Sequence, residues 1–199
     1  MSPWLQKLRS LFPDYRKRTG ILIKVPVPLL CALALLCLAT HARAVEDSSP
    51  APADQVKAAF LFNFIKFTDW PADSGGGGTI CVGILGRDPF GDALDTLSGK
   101  LAKGRRVVVA HYRRVEEVKD CEVLFVSDSE KGRLSHVLKT LSGSHVLTVA
   151  EQEGFCEAGG MINLVSARGK MTFEINMGAA TRARLRISSQ LLRLARSVL

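Results

Sequence analysis

Four short apolar runs, each set off from the next by a polar or amphipathic stretch, constrain this chain more than any other feature. They are TICVGIL (79–85), RRVVVAHY (105–112), EVLFVS (122–127) and HVLTVA (145–150), all rich in β-branched residues. Between them lie DPFGDALDTLS (88–98), VEEVKD (115–120) and EKGRLSHVLKTL (130–141), which read as helices. Buried strands alternating with helices predict an α/β fold, a single three-layer domain whose mainly parallel sheet has flanking helices on both faces. The pattern changes at GGMINLVSARGKMTFEIN (159–176), where two apolar runs surround ARGK. That predicts a C-terminal antiparallel hairpin with Gly169 in its turn. The closing MGAATRARLRISSQLLRLARSVL (177–199) is expected to be a helix. Asn176 would cap it, and Ile187, Leu191, Leu194 and Val198 would form its apolar stripe.

Ahead of the first strand stands QVKAAFLFNFIKFTDWP (55–71), with four phenylalanines and a tryptophan. Val56, Phe60, Phe64 and Phe67 fall along one helical face. Lys57, Asn63 and Lys66 interrupt the run, so it does not read as a membrane span. Trp70-Pro71 ends it, because the residue before a proline is pushed out of the helical region. The rings are therefore expected to be core, packed on the sheet.

The N-terminus reads as a targeting segment. Lys7, Arg9, Arg16, Lys17, Arg18 and Lys24 precede the apolar VPVPLLCALALLCLA (25–39), and Ala42 and Ala44 follow in A-x-A spacing. This predicts a secretory signal peptide over residues 1–44, with an uncleaved anchor as the other reading. VEDSSPAPAD (45–54) is polar and Pro-rich, a linker, and 55–199 would be the exported domain. Of 27 Lys and Arg, seven lie in 1–44, with one of 19 acids. The remainder carries 20 against 18, so the formal charge of +8 gives no ground for nucleic-acid binding.

No side chains are spaced for a recognisable reaction. GILGRDPFGD (83–92) puts glycines between strand and helix but matches neither dinucleotide nor phosphate-loop spacing. His111, His136 and His145 are scattered, without zinc spacing. Glu116 and Glu117 read as a solvated face, and Glu174 alternates with Phe173 and Ile175 in a strand. Arg182, Arg184 and Arg186 are either solvating residues or a contact for an acidic partner. Cys81, Cys121 and Cys156 remain after export, and in an oxidising compartment they suggest one disulfide and one thiol, with three pairings open. Cys81 and Cys121 both stand at strand starts, which in a parallel sheet can share an edge. Such a bridge would close a loop of about forty residues and stabilise by roughly 3–4 kcal/mol.

Taken in order, KAAFLFNFIKFTDWP, CVGILGRDPFG, GGMINLV, FEIN and ARLRISSQLLRLA resemble the YfiR family of periplasmic regulators across residues 54–196. The resemblance implies a small non-enzymatic α/β domain, expected to be homodimeric and to need no cofactor. It would hold an inner-membrane diguanylate cyclase inactive through that enzyme's periplasmic domain. An outer-membrane lipoprotein would relieve the inhibition, so that cyclic-di-GMP and biofilm formation follow. The rival reading is a periplasmic small-molecule sensor with its pocket at the strand carboxyl ends. Carried residue by residue, the resemblance makes Cys81 and Cys121 the structural disulfide. Cys156 matches a family cysteine whose upstream partner HVLTVAEQE lacks, and so would be a free thiol. Partner contacts would centre on Phe155, Met161, Phe173 and Ile175.

Overall fold

The computed structural model describes residues 52–199, apart from residues 73, 75, 76 and 168. The signal peptide and most of the linker lie outside the described residues. Helix α1, Ala53–Phe67, takes in the last two residues assigned to the linker. Asp54 in its first turn and Lys66 in its last oppose the helix dipole with the favourable sign. It stops where Thr68 becomes extended and opens the two-residue strand β1, Thr68–Asp69.

The strands then follow: β2, Thr79–Leu85; β3, Leu101–Ala102; β4, Arg105–Tyr112; β5, Val123–Val126; β6, Leu147–Ala150, all but the two-residue β3 falling on the expected apolar runs. The hairpin is β7, Ile162–Ala167, and β8, Lys170–Ile175, with Gly169 at φ +72° in its turn. These strands and a terminal β10, Ser197–Val198, form one eight-stranded sheet in the order β10-β8-β7-β6-β5-β2-β4-β3. Five of its pairings are parallel, and only β3/β4 and β7/β8 are antiparallel. Two of the expected helices are short 3-10 turns instead, Gly91–Thr96 and Val115–Glu117. The third is a 3-10 turn, Asp128–Arg133, running into α2, Leu134–Thr140.

Period-two alternation divides the central strands between two cores. Ile80, Val82, Ile84, Val123, Phe125, Leu147 and Val149 face α1, while Leu85, Leu124, Val126 and Ala150 face the layer containing Val115 and Val137. Helix α1 buries Ala58, Leu61, Phe64 and Ile65 completely, with Phe60 and Phe67 half-buried beside them. Phe64 and Phe60 meet Phe173 of β8 edge-on, at 5.2 and 5.6 Å between centroids. The rings are core, and the buried face is centred one step round the helix from the expected phenylalanine stripe.

The C-terminal segment is not one helix. Asn176 does cap α3, Met177–Arg182, its side-chain oxygen accepting from Ala179 N at 2.8 Å. Arg184 then adopts φ +57°, and Arg186–Ile187 forms β9, paired antiparallel with β1. A second cap at Ser188 opens the single turn α4, Ser189–Leu192, before β10. Leu194 and Val198, expected on a buried stripe, are exposed.

Candidate functional site

Parallel pairing of β2 with β5 sets Val82 opposite Val123, so the residues just before them meet at the amino ends of both strands. Those residues are Cys81 and the Cys121-Glu122 pair. The Cys81 and Cys121 sulfurs stand 3.0 Å apart as thiols, nearer than any ordinary non-bonded sulfur contact and longer than the ~2.05 Å of a disulfide. Tyr112 closes the other side, its hydroxyl 3.7 Å from the Cys81 sulfur. Gly83 makes the room: a Cβ there would lie 2.7 Å from the Tyr112 ring and 3.0 Å from the Cys121 sulfur.

The two thiols are electrostatically unequal. The hydrogen bond with Cys121 holds the Cys81 thiol below its ordinary pKa, and sharing that bond, together with burial, pushes Cys121 up. Burial likewise raises the Tyr112 hydroxyl. Cys81 is half-buried and Cys121 buried. Of the two, the half-buried Cys81 sulfur is the more nucleophilic.

Beneath the pair lies a charged residue that the sequence reading passed over. Glu122 is 4% exposed. Its carboxylate accepts from Cys81 N at 2.7 Å and pairs with the Arg105 guanidinium of β4, which also reaches Thr79 O. Its backbone carbonyl accepts from Trp70 Nε1 at 3.2 Å. One side chain thus ties the amino ends of β2, β4 and β5 together. The signal was a lone carboxylate directly before four consecutive buried residues, where burial without a partner would be costly. Glu122→Gln is expected to destabilise by about 2 kcal/mol, since an amide cannot accept on both sides. A urea midpoint unchanged from the parent would contradict this.

Cys156 is held apart from the pair. It is fully buried, its sulfur 3.8 Å from the carbonyls of Met161 and Glu174, and its own carbonyl accepts from Asn176 Nδ2 at 2.7 Å. Burial pushes its thiol up to about 12. In the reduced native protein at pH 8, iodoacetamide is expected to label Cys81 first and to leave Cys156 unmodified until denaturant is added. Early labelling of Cys156 would overturn that placement.

The four residues expected at the centre of a partner contact are interior. Phe155 and Ile175 are 0% exposed, Phe173 3% and Met161 8%. Phe155 packs in the core under Val115 and Val137, its ring against Gly160, whereas the other three pack in the core under α1. A partner touching this conformation meets their exposed neighbours first. The three histidines have separate partners: His111 with Asp88 at 2.8 Å, His136 with Glu116 at 2.9 Å, and His145 with Ala183 O at 2.8 Å. In the glycine loop after β2, Gly86 N donates to Tyr112 O, Arg87 N to Ser129 Oγ and Phe90 N to Asp88 Oδ1, so these three amides are not free for an anion. Arg182, Arg184 and Arg186 are all exposed. At the carboxyl ends of β6 and β7 a cleft of about 490 Å3 opens, lined by Glu151, Glu153, Glu157 and Glu174 with Arg196.

Residues 54–196 match the family model described as YfiR/HmsC-like. Among solved structures, the chain is similar to the ABC domain in complex with L-Trp from Streptococcus pneumonia, at 13% identity and a TM-score of 0.50. That alignment covers 71% of this chain and 60% of the other. A conserved domain protein from Vibrio cholerae O1 biovar El Tor str. N16961 aligns at 12% identity and a TM-score of 0.48, over 74% of this chain and 60% of that one. The chain thus spans about 60% of the length of either structure. At 13% identity, the likeness to the first is one of fold.

Proposed function

Because this chain belongs to the YfiR/HmsC-like family, we propose that it is a non-enzymatic periplasmic regulator of cyclic-di-GMP signalling. It binds the periplasmic domain of an inner-membrane diguanylate cyclase in one conformation more tightly than in the other, and so holds the enzyme inactive. An outer-membrane lipoprotein sequesters the regulator and relieves the inhibition, which raises cyclic-di-GMP and favours biofilm. It acts as a homodimer, and a Cys81–Cys121 disulfide formed after export fixes the amino ends of β2 and β5. The observation that carries this reading is the continuous family match from Asp54 to Arg196, essentially the whole described domain. Deleting the gene is expected to raise cellular cyclic-di-GMP, and restoring it to bring the level back. An unchanged level in the deletion strain would refute the regulatory reading.

A second reading, a periplasmic small-molecule sensor, is favoured by one observation. The glutamate-lined cleft at the ends of β6 and β7 lies within the usual size range of ligand pockets. A saturable rise in melting temperature with one member of an amino-acid panel would support it. No shift across the panel would leave the protein–protein reading alone.

A further inference from the structure

On one side the sheet ends in a strand longer than its neighbour covers. β4 runs through Arg105–Tyr112, but β3 pairs only with Arg105 and Arg106. Val107 continues that contact, its N–H donating to Lys100 O and its carbonyl accepting from Gly99 N. Beyond Val107, no described strand pairs with this edge. The hydrogen bonds to β2 show which groups face outward. Arg106 N donates to Gly78 O, and Tyr112 O accepts from Gly86 N. Alternation along the strand then aims the even-numbered residues' amides and carbonyls at β2, and those of Val107, Val109 and His111 outward. Val107 is satisfied by the β3 turn, while Val109 and His111 have no backbone partner among the described residues. Arg113 N, 3.2 Å from a Glu117 carboxylate oxygen, ends the open stretch.

Open edges are commonly blunted by lysine, proline or a bulge. Val108-Val109-Ala110-His111-Tyr112 has none of these, and its register against β2 is unbroken. The charge sits at the ends instead: Arg106 before the stretch and Arg113 after it have no acidic side-chain partner among the described residues, while Arg105 is paired with Glu122 and Arg114 with Glu117. Antiparallel pairing of two copies about Ala110 would set Arg106 of one against Arg114 of the other, and like charges directly opposed disfavour that register. Arg106 and Arg113 are complementary to a strand with acidic ends.

We propose that the open edge of β4, Val108–Tyr112, takes an extended segment of a partner polypeptide as an added strand. That segment is uncharged and β-branched through its middle and acidic at both ends. Its backbone supplies the missing partners of Val109 and His111, and its carboxylates meet Arg106 and Arg113. The edge is open whether or not the chain regulates a cyclase.

A fluorescent peptide, Glu-Glu-Thr-Val-Thr-Val-Thr-Glu-Glu, titrated with the full chain tests this. Saturable binding is expected, weaker by about tenfold or more when lysines replace the glutamates. Val109→Pro, which removes an outward N–H, is expected to weaken it similarly. In the unmodified protein, bound peptide should slow hydrogen exchange at the Val109 and His111 amides, a readout that decides the matter even if the proline variant does not fold. No binding, equal binding of both peptides, or unchanged exchange at these two amides would overturn the proposal.

Discussion

Reducing the protein with dithiothreitol after it has been isolated from an oxidising compartment is expected to lower its melting temperature by about 10 °C. The Cys81 and Cys121 sulfurs already stand 3.0 Å apart, so closing the bond asks little of the backbone. The closed loop holds about forty residues, and the chain-entropy estimate for it is roughly 3–4 kcal/mol. For a domain of this size each kcal/mol is worth about 2–4 °C. A Cys156→Ala variant should show the same reductant-dependent drop, because Cys156 lies in another part of the core. Cys121→Ala should show none. Identical melting with and without reductant in the parent protein would mean that the pair stays as thiols.

Replacing Phe64 by alanine is expected to cost about 4 kcal/mol, the largest effect of any single truncation in α1. Phe64 is fully buried and sits against both Phe60 and Phe173, joining the helix to the hairpin. Phe60→Ala, at a half-buried position, should cost roughly half as much on the area it hides. Urea denaturation measures both. If the two variants lost equal stability, or Phe64→Ala lost less than about 1 kcal/mol, α1 would not be the lid of this core.

The strands were legible where β-branched and apolar residues run together. TICVGIL and RRVVVAHY coincide with β2 and β4 residue for residue, although β2 is buried along most of its length and β4 is buried only at Val107. The C-terminus was misread because its leucines also fit a helical stripe. The alternation Arg184-Leu185-Arg186-Ile187, with both apolar residues buried and both arginines exposed, was a period-two signal that the helical pattern masked. In the candidate site, the approach of Cys81 to Cys121 followed from two strands beginning at one edge. Glu122 did not, since its role depends on Arg105, which a different strand supplies. Phe155, Met161, Phe173 and Ile175 show the same limit: apolar residues in a loop and a hairpin read alike whether they face a partner or the interior, and only the packing shows that these four are buried.

The proposal that the protein holds a membrane diguanylate cyclase inactive is tested by titrating the purified protein into inner membranes of its source cells, following cyclic-di-GMP production and retention of the regulator on the membranes. Saturable retention through the cyclase's periplasmic domain, with production falling in step, is the predicted result. Undiminished production with no retention on those membranes would contradict it.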